Sequence, residues 1–241
     1  VITLVFLMVT VMCPAARNSF PDLRRQMVQE QIKDRGIIDP QVVGAFMAVK
    51  RHLFVPPELR DFAYTESQLY FTESQTMARP YFVAIMTLAL DPSPGKKMLD
   101  IGTGTGYLAC ILSRMVKTVY TIEIQKELSL KAQRLVARLG YDNIRFKIGD
   151  GYEGWAEHAP FDGIIMTCPD DHIPQTLIDQ LAAGGRMVIP VSYSQVVQEL
   201  VLIRKMEDGS LKKTNILPVP DRFKPIIRNK QDERQDSGRS E

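Results

Sequence analysis

The chain has 241 residues and sets 30 Lys+Arg against 28 Asp+Glu, a formal net charge of +2. That balance excludes a polybasic protein held to phosphate backbone, and 45% hydrophobic with 24% charged residues excludes an intrinsically disordered chain. Cys13, Cys110 and Cys168 form no CxxC pair and His52, His158 and His172 stand singly, so neither a disulfide framework nor a zinc site is written here.

Val1 to Met12 is apolar apart from Thr3 and Thr10, and Cys13-Pro14-Ala15-Ala16-Arg17 follows. The run is too short to span a bilayer, which takes roughly 20 residues. It suits the h-region of a signal peptide or a start placed too early, and it is set outside the fold. From Phe20 to Arg35, Leu23, Met27 and Ile32 fall on one side of an otherwise charged face, predicting an amphipathic helix. Asp39-Pro40 opens a second helix to Val49. Phe54-Val55-Pro56-Pro57 predicts an extended stretch. Ser74 to Tyr81 is polar and irregular, and leads into an apolar helix from about Phe82 to Leu90 that Asp91-Pro92-Ser93-Pro94-Gly95 stops.

Beyond Gly95 the texture becomes strand, turn and helix in repetition. Strands are predicted at Lys97–Ile101, Val119–Glu123, Ile144–Ile148, Phe161–Thr167, Arg186–Val191, Glu199–Arg204 and Lys212–Val219. Helices are predicted at Tyr107–Val116, Lys126–Leu139 and Ile173–Leu181, a turn at Gly184-Gly185 and a hairpin turn at Asp208-Gly209. The pattern predicts an α/β fold: a doubly wound, mostly parallel seven-stranded Rossmann-like sheet closed by an antiparallel hairpin. From Arg228 to Glu241 no apolar residue occurs, which predicts a disordered tail.

The sharpest motif is Leu99-Asp100-Ile101-Gly102-Thr103-Gly104-Thr105-Gly106-Tyr107. A strand feeding a glycine turn into a helix N-terminus brings backbone N–H groups against a ligand at the carboxyl ends of the strands. The spacing is G-x-G-x-G, and Asp100 would repel a dinucleotide's pyrophosphate. It would attract a cofactor carrying an ammonium and a sulfonium, which is S-adenosylmethionine. Glu123, at the end of the next strand, stands where an acid reaches a ribose, and Asp150, after the third, where one reaches the adenine amino group. The plain alternative is a generic glycine turn with surface acids; three acids at three successive strand ends around one crevice favour the cofactor. His52 reads as a packing residue. Trp155, Tyr152 and Phe161 read as core or adenine-pocket edge, and Cys168 as a thiol with nothing beside it to activate it.

From about Leu23 to Ile226 the chain resembles the protein-L-isoaspartate O-methyltransferase family. The diagnostic segments are Arg51-His52-Leu53-Phe54-Val55-Pro56 and Gln75-Thr76 with Pro80-Tyr81-Phe82-Val83-Ala84, beside the glycine loop. Leu139-Gly140-Tyr141-Asp142-Asn143, Gly149-Asp150-Gly151 with Gly154-Trp155, Gly184 to Val191 and Arg222-Phe223-Lys224-Pro225 extend the match. The resemblance implies S-adenosylmethionine as cofactor, held by Asp100, Gly102, Thr103, Gly104, Gly106, Tyr107, Glu123, Asp150 and Gly151. It implies methylation of L-isoaspartyl and D-aspartyl carboxylates in damaged proteins and peptides. The protein is expected to be a monomer, in the cytoplasm because S-adenosylmethionine is supplied there, with no nucleic-acid partner given the near-zero net charge and no stable membrane span. A working leader would instead send the protein to the periplasm or outside the cell. The expected organisation is a leader over 1–17, a helical and substrate-loop region over 18–92, the cofactor-binding domain over 93–227 and the tail over 228–241.

In the family the substrate loop reads Gly-Gln-Thr-Ile-Ser-Gln-Pro, whose serine is the active-site hydroxyl. Here the segment is Ser74-Gln75-Thr76-Met77-Ala78-Arg79-Pro80, so Ala78 stands in the serine position. Ser74, Gln75 and Thr76 are expected at the substrate. Either activity is weakened, or Thr76, Ser74 or Arg79 supplies the missing contact; Arg79 would do so as a carboxylate clamp, its plain alternative being a solvated loop arginine. The change also admits two other readings: a different methyl acceptor, or a non-catalytic module that binds S-adenosylmethionine.

Overall fold

A computed structural model describes residues 18–72, 75–169, 172–192 and 198–218. The leader, Ser74, Arg222 to Pro225 and the tail lie outside them. Ser19 and Asp22 form a capping box that starts α1 (Phe20–Met27). The expected helix to Arg35 continues with changed pitch, as a π-helical turn over Val28–Ile32 and a 3-10 turn over Lys33–Arg35. The wider turn buries Val28, Gln31 and Ile32 together, and Gln31 Nε2 donates to the Tyr64 carbonyl (2.9 Å). Asp39 caps α2 (Pro40–Ala48), its Oδ1 accepting from the N–H groups of Gln41 and Val42, both at 3.0 Å.

The stretch expected to be extended from Phe54 to Pro57 is extended only at Val55 and Pro56; 3-10 turns at Arg51–Phe54 and Pro57–Phe62 flank it. Proline at the first position of a helical turn starts it as readily as it ends the preceding one. A small antiparallel hairpin, β1 (Leu69–Tyr70) with β2 (Thr76–Met77), then carries the substrate-loop segment into α3 (Pro80–Ala89).

The remaining elements alternate: β3 (Lys97–Ile101), α4 (Tyr107–Ser113), β4 (Thr118–Glu123), α5 (Lys126–Arg138), β5 (Ile144–Ile148), β6 (Phe161–Met166), α6 (Gln175–Asp179), β7 (Leu181–Ser192), β8 (Gln198–Lys205) and β9 (Leu211–Pro218). They build the expected seven-stranded sheet in the order β5-β4-β3-β6-β7-β8-β9, parallel through β7 and antiparallel at β8 and β9. Gly184-Gly185 does not end a loop before β7 but lies inside it. Pairing jumps from Phe161↔Leu181 to Gly163↔Arg186, and Gly184, at φ +71°, bulges the extra residues out.

Neighbouring strand residues face opposite layers. Met98, Val119, Ile165 and Val188 join a core shared with α1 to α5, so residues 27–90 and the sheet have one apolar interior. Leu99, Ile122, Ile164 and Ile189 pack with Leu177 and Ile178 of α6 on the other side. The chain leaves β3 for β4 on one side and returns as β6 on the other. That reversal opens a crevice at the carboxyl end of β3.

Candidate active site

The glycine loop enters the crevice in a conformation that demands glycine. Gly102 has φ +92°, and a Cβ there would stand 3.2 Å from Thr167 Oγ1. Gly106 has φ +85°, with Val136 Cγ2 3.1 Å from where its Cβ would be. The N–H groups of Gly102 and Thr103 donate to the Ile122 carbonyl (2.9 and 3.1 Å), fastening the loop to β4.

Parallel register sets Asp100 beside Thr121. Thr121 Oγ1 donates to Asp100 Oδ2 (2.9 Å) and, its proton so used, accepts from Thr103 Oγ1 (2.6 Å). Asp100 Oδ1 is buried with no hydrogen-bond partner. Burial, offset by the Thr121 hydrogen bond and reinforced by the Glu123 charge, pushes this carboxyl up to about 7. An unpaired buried acceptor beside a second carboxylate is where a cationic ligand gains most. Glu123 Oε2 accepts from the Gly104 N–H (2.9 Å) and Oε1 from the Gln125 N–H (3.1 Å). Asp150 caps the turn over Gly151–Glu153, accepting from the Tyr152 N–H at 2.9 Å. That turn is anchored from α6: Gln180 accepts from the Trp155 N–H (2.7 Å) and donates to the Glu153 carbonyl (2.8 Å).

All three acids are buried, and all three act on the Cys168 thiol, which burial and their charges push up to about 12. The raised thiol, with no cation beside it among the described residues, makes Cys168 inert. No group of His, Cys, Asp and Glu that could hold a metal occurs among the described residues.

The substrate loop is tied to the cofactor loop by a residue that sequence reasoning used only as part of a motif. Arg51 is fully buried. Its Nε donates to the Ala63 carbonyl and its Nη2 to the Ala78 carbonyl, each at 2.7 Å, and its guanidinium lies 4.8 Å from the centre of the Tyr107 ring. Thr76, half-buried, alternates on β2 with buried Met77, and Arg79 precedes α3 as its N-cap residue. His52 packs as expected: it stacks on Phe20 with ring centres 4.0 Å apart, and its Nδ1 lies 2.8 Å from the Tyr64 hydroxyl. Thr121, Gln180 and Arg51 were missed as site-forming residues. The available signal for Thr121 was a polar side chain inside a buried strand, beside an acid in register.

The profile of the protein-L-isoaspartate(D-aspartate) O-methyltransferase family matches residues 23–231. The chain belongs to this family. It is 46% identical over 182 residues to protein-L-isoaspartate O-methyltransferase 2 of Polaromonas, covering 76% of this chain and 86% of that protein. It is 42% identical over 207 residues to the Gloeobacter violaceus protein-L-isoaspartate O-methyltransferase, covering 86% of this chain and 100% of that one. A solved protein-L-isoaspartate O-methyltransferase superposes with a TM-score of 0.77 at 28% identity, over 89% of this chain and 69% of its own. A Plasmodium falciparum structure, titled as a complex with S-adenosyl-L-homocysteine, shares the fold at a TM-score of 0.71 and 24% identity, over 88% of this chain and 100% of its own.

Proposed function

We propose that the protein transfers a methyl group from S-adenosylmethionine to the free carboxylate of L-isoaspartyl residues, and of D-aspartyl residues, in damaged proteins and peptides, starting their repair. The observation that carries the cofactor assignment is the buried, unpartnered Oδ1 of Asp100 beside Glu123, a pair that fits a cationic ligand. S-adenosylmethionine supplies an electrophilic methyl group on a sulfonium. Asp100 would hold its ammonium, Glu123 its ribose hydroxyls and Asp150 its adenine amine, with Gly102, Thr103, Gly104, Gly106, Tyr107 and Gly151 lining the cradle.

A substrate carboxylate is ionised at neutral pH and is itself the nucleophile. The protein's share is to position and desolvate it, with no general base. Arg51 fixes the Ala78 carbonyl and so the backbone on which Gln75, Thr76 and Arg79 are carried toward the acceptor. Within that loop Thr76 offers a hydroxyl and Arg79 a two-pronged cation for the carboxylate. The protein works as a monomer in the cytoplasm, where its cofactor is made; no described helix is long and apolar enough to cross a membrane.

Labelled S-adenosylmethionine with an isoaspartyl peptide and its aspartyl twin tests the assignment. Base-labile methyl ester on the isoaspartyl peptide alone is expected, and product on neither overturns it. Alanine in place of the family serine at Ala78 favours a second reading, a different acceptor, which label transfer to another substrate under the same conditions would support. Arg79→Ala is expected to raise KM for the isoaspartyl peptide; an unchanged KM removes the clamp.

A further inference from the structure

A second concavity lies beside the acid-lined crevice. It is a cleft of about 370 Å³ between α5, the Leu53–Pro57 stretch and the substrate hairpin. Gln75 stands at one wall and Gly104-Thr105 of the glycine loop at another, so the cleft opens next to the methyl-transfer site. Asp100, Glu123 and Asp150 are not among its walls, and no carboxylate among the described residues lines it.

What lines it instead is a cationic rim over an apolar floor. Phe54, Phe71, Leu128 and Leu135 make the floor, and Arg60, Lys131, Arg134 and Arg138 the rim. None of these four cations makes an ion pair among the described residues, and Arg60 Nε is buried with no hydrogen-bond partner. Lys131, Arg134 and Arg138 are exposed. Their spacing of three and then four residues puts them on one face of α5. At 1.5 Å per residue the row is roughly 10 Å long, about three residues of extended chain.

We propose that this cleft receives the peptide chain flanking the isoaspartyl residue and selects for Asp or Glu side chains within about three residues of it. The idea rests on the acceptor assigned above and adds a substrate preference to it. Backbone and apolar side chains of the substrate lie on the floor, and its flanking carboxylates meet the row on α5. The chain's overall charge of only +2 makes such a local, one-sign row the more selective. Contact with exposed cations is modest per pair and screened by salt, so discrimination acts through KM.

The test uses two isoaspartyl peptides that differ only in flanking Glu or Gln, and compares the wild type with Arg134→Glu/Arg138→Glu, whose positions are exposed and outside the catalytic loops. The wild type is expected to show a KM roughly five- to tenfold lower for the Glu peptide at similar kcat, a preference that fades at high salt. The double variant is expected to lose or invert that preference while methylating the Gln peptide at the wild-type rate. Equal KM for the two peptides, or a preference that survives in the double variant, overturns the proposal. If neither peptide is methylated, the acceptor assignment falls, and fluorescence anisotropy still judges the cleft. Tighter binding of the Glu peptide that the double variant abolishes supports it, and equal affinity overturns it.

Discussion

The ends of β3, β4 and β5 and the hairpin β1–β2 with its lead into α3 are joined through Arg51, which holds the Ala78 carbonyl and lies against Tyr107, but they are built differently. The strand ends hold three buried carboxylates and a loop fastened to the sheet by backbone hydrogen bonds, so their geometry follows from register alone. The hairpin has two-residue strands with Leu69 and Met77 in the core, and Arg51 holds the carbonyl of Ala78 just after it. A cofactor of fixed shape suits the first construction. An acceptor that varies from one damaged protein to the next suits the second, in which Ala78 stands at the position of the family serine.

The largest effect is expected where the two constructions join. Arg51→Met keeps much of the volume but leaves the buried carbonyl of Ala63 and the half-buried one of Ala78 without their donor, at about 2–4 kcal/mol of stability. Urea unfolding measures it, and a variant as stable as the wild type would break the link between the two regions. Next comes Asp100→Ala, which removes the carboxylate proposed above to accept the cofactor's ammonium. A charge-assisted hydrogen bond is worth about 1.5–3 kcal/mol, so calorimetry should show Kd for S-adenosylmethionine rising about 10- to 150-fold.

The strand-end region was legible in the sequence almost to the residue because its signals are local and redundant. An apolar run gives the strand and glycines the turn, as at Leu99 to Tyr107, and an acid at each strand end gives the proposed site. The hairpin region was legible only as a resemblance. No periodicity fits two-residue strands, and the extended stretch expected at Phe54–Pro57 gave way to 3-10 turns because proline serves either end of a helical turn. The part played by Arg51 depends on carbonyls 12 and 27 residues away, a tertiary relation that no local pattern carries. Gly184-Gly185 read as a turn for the same reason: a glycine with positive φ looks alike in a loop and in a bulge, and only the pairing of β6 with β7 decides.

The pH response of the strand-end region is smaller per step and separable. The Asp100 carboxyl, ordinarily near 3.8, is raised to about 7, chiefly by burial. The folded protein therefore holds a proton that the unfolded chain releases. That stabilising contribution is full below about 4 and is lost as pH rises through about 7. Binding a cation at Asp100 requires the opposite state. Kd for S-adenosylmethionine should weaken by up to about tenfold per unit as pH falls below about 7, with proton release on binding in that range. Calorimetry in buffers of different ionisation enthalpy measures both, and Asp100→Asn should flatten them; a profile with the same slope in that variant would assign the proton to another group.

The smallest change probes the hairpin side alone. Ala78→Ser restores a hydroxyl on the residue whose carbonyl Arg51 already holds, so the backbone that presents it needs no rearrangement. A neutral hydrogen bond contributes about 0.5–1.5 kcal/mol, so kcat/KM for an isoaspartyl peptide should rise roughly three- to tenfold. Kd for S-adenosylmethionine should stay put, because no cofactor-facing group has changed. If the rate does not move, another group of the loop already makes the contact, and removing the Thr76 hydroxyl by Thr76→Val should then cost the same factor. If the cofactor affinity moves with the rate, the two regions are not separable, and the division between a register-built cofactor site and a tethered acceptor loop fails at its most local point.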